Sequence, residues 1–94
     1  MAVSAASFSA SGSVSAFTIG TYDPSQQVYV TYAEEAPREI ASCSGTVSTT
    51  KTETDVNARI LLCDAQGSVT GGRLFPGTIL VAGEIVIQEL IGPP

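Results

Sequence analysis

The side chains able to do chemistry are few in this chain and poorly placed for it. It contains no histidine, which removes the commonest general base, the Ser-His and Cys-His nucleophile systems and the commonest metal ligand. Cys43 and Cys63 stand alone, and two thiols without a histidine or a second pair do not complete a tetrahedral zinc site. A disulfide between them would close a loop of about 20 residues and add roughly 3 kcal/mol by chain entropy. Cytosolic synthesis weighs against that bridge and favours buried thiols. Lys51 could on paper serve a serine nucleophile as its base, but it sits among threonines beside Glu53, where nothing desolvates it and it keeps its proton.

The carboxylates are no better arranged. Glu34 and Glu35 are adjacent, and neighbours on an extended chain point to opposite sides, so they read as a solvated loop. Asp23, Asp55 and Asp64 lack the alternating ligand spacing of a calcium loop. Gly67 to Gly72, GSVTGG, is rich in glycine but has neither the lysine nor the helix of a phosphate cradle. A cleft for glycoside chemistry would need aromatic walls, and the chain has no tryptophan and three tyrosines. No catalytic residue, cofactor or metal is expected.

Charge narrows the choice of partner. Charged residues make up 14% of the chain, against about 25% in an average protein, while 44% is hydrophobic. That composition excludes a disordered tail and describes a surface of Ser, Thr, Gly and apolar side chains, the kind that another protein covers. The net charge is −5, and Arg38, Lys51, Arg59 and Arg73 are scattered singly. Nucleic-acid binding normally announces itself as a basic cluster, so no nucleic-acid partner is expected, and anionic membrane surfaces are disfavoured by the same reasoning. Residues 1–15 carry no lysine or arginine, and serines interrupt their apolar residues. A secretory signal is therefore not read there, and a protein made and soluble in the cytosol is expected.

The elements that must position any site are strands. The longest apolar run is TILVAGEIVIQELI, Thr78–Ile91, with Glu84 and Glu89 inside it. It is too short for a spanning helix. Being apolar on both faces, it predicts a strand buried on both, with Gly83 as a bulge or bend. Elsewhere, SVSAFTIG after Gly12, QQVYVTY around Val28, the stretch Glu39–Val47 and VNARILLC from Val56 alternate as strands do. Asp23-Pro24 predicts a hairpin turn, as do Asp64–Gly67, Gly71-Gly72 and Pro76-Gly77. The Thr-rich segment Ser44–Asp55 predicts a projecting hairpin or edge. About seven short strands at this spacing predict an all-β fold, a small antiparallel β-sandwich or jelly-roll-like barrel with no substantial helix.

Two units are read along the chain. Residues 1–11 form an Ala/Ser-rich arm or edge strand, and residues 12–94 a single β domain. The arm has little to hold it, so its backbone groups are satisfied either by strand addition to a neighbouring subunit or at an ordinary sheet edge.

Low charge, a weakly anchored arm and the absence of site chemistry point to a protein whose output is binding. The expectation is a non-enzymatic structural protein on a virion surface: a homo-oligomer, with a trimer favoured, acting as a phage capsid decoration or cement protein. Binding the assembled shell and not its free subunits would stabilise the shell by mass action. Its contact candidates are Val3, Phe8, Tyr22, Tyr29, Tyr32, Val47 and Lys51. The alternative is a stand-alone β-sandwich module binding carbohydrate or protein through those tyrosines.

Overall fold

The computed structural model describes residues 4–90, and Val3 lies outside them. It is all-β, with six antiparallel strands: β1 (Ser4–Asp23), β2 (Val28–Glu34), β3 (Arg38–Thr49), β4 (Thr54–Cys63), β5 (Val69–Leu74) and β6 (Ile79–Leu90). Among the described residues no helix is long and apolar enough to cross a membrane.

Everything is arranged around β1. Its first half lies between β3 and β6, and its second half between β2 and β5. β4 pairs with both β3 and β5, and β5 returns to β1 through Ile19–Leu74 and Gly20–Arg73. The path β1-β3-β4-β5-β1 therefore closes on itself as a small barrel does. β2 and β6 flank that ring and pair with β1.

The strands number six, against about seven expected, because the Ala/Ser arm and the SVSAFTIG strand are one element. Residues 5–9 pair with β3 and β6 at once, so the segment read as an arm or edge is interior to the sheet from Ala5 on. Gly71 and Gly72 were expected to turn the chain, yet both lie inside β5. Their absence of side chain serves a crossing: a Cβ on Gly72 would lie 2.5 Å from the Gly20 carbonyl oxygen. The Asp23-Pro24 hairpin is present. The Asp23 carboxylate accepts from the Ser25 amide at 3.0 Å and from its hydroxyl at 2.7 Å, the self-bonding that makes Asp a turn former.

The core is not where the apolar run predicts it. Val14, Phe17 and Ile19 of β1, Ile40 and Cys43 of β3, and Ala58, Ile60 and Leu62 of β4 are buried. β4 alternates inward and outward as its sequence predicts. β6, read as doubly buried, is instead a flanking strand, with Ile79, Leu80, Val81, Ile85, Val86 and Ile87 between 41 and 67% exposed. Hydrophobicity reports that a face wants cover, and the described residues do not supply it. The radius of gyration of 14.8 Å exceeds the roughly 12.4 Å expected for a compact chain of this length. An apolar hollow of about 540 Å³, lined by Phe8, Val14, Ile40, Cys43, Ile60 and Ile85 among others, opens beside β6.

Candidate functional site

The outer face of the ring is where scattered residues meet. In β4 the burial of Ala58, Ile60 and Leu62 forces Asn57, Arg59 and Leu61 outward. Arg59 lies opposite Ser44 on β3 and Arg73 on β5, Arg73 lies opposite Gly20 on β1, and Gly20 opposite Thr31 on β2. Directly paired residues share a face, so Ser44, Arg59, Arg73, Gly20 and Thr31 form one transverse row across five strands. Two residues along β1 and β2, Tyr22 and Tyr29 make the next pair of the same face.

The aromatic rings and the arginines interlock. Phe75 fills the space that Gly20 leaves empty. Tyr29 meets Phe75 edge-on with ring centroids 5.7 Å apart, and Tyr22 meets Tyr29 in the same way at 5.5 Å. The Arg73 guanidinium sits 5.3 Å from the Tyr29 ring centroid, with Nη1 donating to Tyr29 Oη at 3.5 Å. Cation–π contact of this kind holds an arginine extended without consuming its charge.

Among the described residues neither Arg59 nor Arg73 has a carboxylate within ion-pair distance. Among the described residues the ion pair is Arg38 with Glu34, at 3.6 Å. Like charges directly opposite on a sheet are destabilising, so an Arg59–Arg73 pair with no ion-pair partner among the described residues is better suited to an external anion than to stability. Arg38 is different. Its guanidinium lies 5.7 Å from the Phe17 ring centroid, and its charge is already engaged by Glu34.

The contact candidates divide. Tyr22 and Tyr29 come together in this site, whereas Phe8 packs against the core from β1 and Val47 is half-buried on β3. Lys51 is exposed in the β3–β4 turn, away from the arginine row. Tyr32 points the other way, with its ring 6.0 Å from Phe17 and its hydroxyl donating to Glu34 Oε2 at 2.5 Å. Arg59, Arg73 and Phe75 were not among the candidates. Arg59 and Arg73 are 14 residues apart, and only the β4–β5 register joins them.

The Glu34 hydrogen bond holds the Tyr32 phenol above its ordinary value of 10.0. A raised folded value means a contribution to stability that is complete below pH 10 and is lost as pH rises through the folded value. Glu34→Gln is expected to return Tyr32 to the ordinary phenol range, read from NMR of its ring carbons against pH. Identical titrations in the two proteins would show that Glu34 is not the cause.

The cysteines are free, Cys43 buried and Cys63 half-buried. Burial pushes the Cys43 thiol up, which keeps it protonated and a poor nucleophile. Among the described residues no three His, Cys, Asp or Glu side chains come together as metal ligands do.

Comparison with known proteins fixes the family. The profile of the Plants and Prokaryotes Conserved (PCC) domain matches residues 1–91. The chain belongs to the PCC domain family. No curated protein matches its sequence. A plant- and prokaryote-conserved protein from Pyrococcus horikoshii superposes with a TM-score of 0.86 at 27% identity, over 97% of this chain and 63% of that one. A metal-containing protein from Archaeoglobus fulgidus matches with a TM-score of 0.75 at 36% identity, over 88% and 57%. A candidate DNA-binding protein from Bacteroides thetaiotaomicron shares the fold, with a TM-score of 0.80 at 20% identity over 90% and 59%. The PCC domain here thus spans about three-fifths of the length of the structures it matches.

These findings correct the functional expectation. Membership of a family conserved in plants and prokaryotes overturns the phage capsid decoration protein and its virion-surface location. The exclusion of nucleic acid also fails. Fold relatives carry a DNA-binding designation, and the argument against it rested on cations being scattered in sequence, whereas pairing of β4 with β5 sets two of them side by side. Low net charge told of an acidic chain, not of how its few cations are placed.

Proposed function

We propose that this PCC domain is a non-enzymatic nucleic-acid-binding module whose contact is the outer face of β4, β5, β1 and β2. The observation that carries this is the cross-strand Arg59–Arg73 pair, which has no ion-pair partner among the described residues and is flanked by Tyr22 and Tyr29. Guanidinium groups suit phosphate because they donate in a rigid fork and stay charged at any physiological pH. The DNA-binding designation of two fold relatives agrees with the reading.

The electrostatics set its scale. Two phosphate contacts release few counterions, giving a slope of log affinity against log salt of about −1.8 on a duplex. The net charge of −5 opposes binding further, so the affinity is modest and greatest at low salt. Fluorescence anisotropy with labelled DNA oligonucleotides at low ionic strength tests this. The double variant Arg59→Ala/Arg73→Ala is expected to lose about tenfold or more in affinity and most of the salt dependence, with its circular dichroism unchanged. Equal affinity in the folded double variant would remove this face from the reading.

A further inference from the structure

We infer that the arginine–tyrosine face takes single-stranded nucleic acid in preference to duplex, stacking an unpaired base on Tyr22 while Arg59 and Arg73 hold the adjoining phosphates. The inference rests on the nucleic-acid reading above and names which form of nucleic acid the site is built for.

Tyr22 is the stacking surface. The residue is 53% exposed and its ring is braced edge-on by Tyr29 at an interplanar angle of 66°, so it is held in place without the residue being buried. Tyr29 cannot play the same part, because the Arg73 guanidinium already lies over its ring. That arrangement aims Arg73 instead, beside Arg59 and within one strand pair of Tyr22. Base–aromatic stacking contributes about 1–3 kcal/mol per base and needs a base whose face is free, a condition no interior duplex pair meets.

The other half of the argument is what a duplex site would require. A duplex carries one charge per ~1.7 Å of its axis, and proteins that hold it neutralise many phosphates, ~6–10 in strongly salt-dependent cases. This face offers two arginines, without an ion-pair partner among the described residues, on a domain of net charge −5. Among the described residues there is also no helix to enter a major groove. A single strand, with its lower charge density and weaker salt slope per contact, repels the acidic body less. Thr31 and Ser44, at the two ends of the row, are exposed hydroxyls able to donate to or accept from a base edge or sugar whatever the sequence.

The test is a set of anisotropy titrations at low salt with a labelled oligothymidine and a labelled duplex of equal length, using the wild-type chain, Tyr22→Ala, Tyr22→Phe and Arg59→Ala/Arg73→Ala. The expected result is tighter binding of oligothymidine than of duplex, a loss of about 5- to 150-fold in Tyr22→Ala, and near-wild-type affinity in Tyr22→Phe, which keeps the ring. Tyrosine fluorescence should be quenched by oligothymidine in the wild type and less so in Tyr22→Ala. Duplex bound as tightly as or more tightly than single strand would overturn the inference and leave the nucleic-acid reading standing. Unchanged oligothymidine affinity in folded Tyr22→Ala would do the same. Binding of neither probe would remove both.

Discussion

Leu62→Ala is expected to destabilise this domain by about 3 kcal/mol, within the 2–5 kcal/mol range of buried Leu-to-Ala truncations. Leu62 is 0% exposed and sits on β4 between Ile40 of β3 and Thr70 of β5, at the strand that closes the ring. The side chain that is lost leaves a void that neighbours on three strands cannot collapse into, because each is fixed by its own ladder. A chain of this length has roughly 5–14 kcal/mol of stability in total, so a single truncation removes a large share of it. In thermal unfolding the expected shift is a fall of about 12–24 °C in midpoint. Leu61→Ala is the control, since Leu61 is the next residue on the same strand but faces outward and is exposed; its effect should be far smaller. If the two variants melt together, the ring does not hold its core around β4.

The contrast between Leu61 and Leu62 was legible in the sequence, and the reason is physical. A strand with one face buried alternates, and VNARILLC sets Ala58, Ile60 and Leu62 on one face and Leu61 and Cys63 on the other, while which face is buried is decided by the neighbouring strands. The hairpin at Asp23-Pro24 and the all-β class were legible for similar reasons, each being decided by a few adjacent residues. The role of Thr78–Ile91 was not. Its hydrophobicity was read as burial on both faces, but whether an apolar strand is covered depends on what lies beside it in space. β6 pairs with β1, and its far edge carries no partner strand among the described residues.

The candidate site was half legible. Tyr22 and Tyr29 were singled out as exposed amphipathic rings, which a hairpin across Asp23-Pro24 brings opposite each other. Arg59 and Arg73 escaped notice because a search for basic clusters along a chain counts neighbours in sequence. Sheet register makes neighbours of residues separated by a loop, and the loop at Asp64–Gly67 sets the pairing of β4 with β5. The Asp64 carboxylate fixes that loop by accepting from the amides of Gln66 and Ser68, both at 2.9 Å. With Asp64 read as an Asx turn and Arg59 and Arg73 each seven residues from Gln66 at the centre of that loop, the pair follows from the hairpin alone. The signal was present, and it needed the turn to be treated as a fold in the charge pattern.

Gly12→Val is expected to have the largest local effect of any single substitution, and to confine it to one strand. Gly12 has a φ of +129°, in the region that an L side chain rarely adopts. It also pairs with Gly83 across the β1–β6 ladder, where a Cβ would lie 2.0 Å from the Ala82 carbonyl oxygen and 2.5 Å from the Gly83 Cα. Both obstacles are backbone, so no rotamer change relieves them, and a β-branched residue is worse placed than alanine. The register shift between Ser9 and Gly12 on the β3 side shows β1 bending at the same point, so moving Gly12 toward β3 offers no escape. β6 is joined to the ring through β1, whereas the buried side chains are carried by β1, β3 and β4. Valine at position 12 should therefore separate β6 while the ring persists. Hydrogen exchange reads this directly: protection along Ile79–Leu90 is expected to fall sharply, with amides of Ile40, Ile60 and Leu62 still protected. Collapse of protection everywhere would mean that β6 is integral to the ring's stability, and unchanged protection in β6 would mean that the two glycines do not set the spacing between β1 and β6.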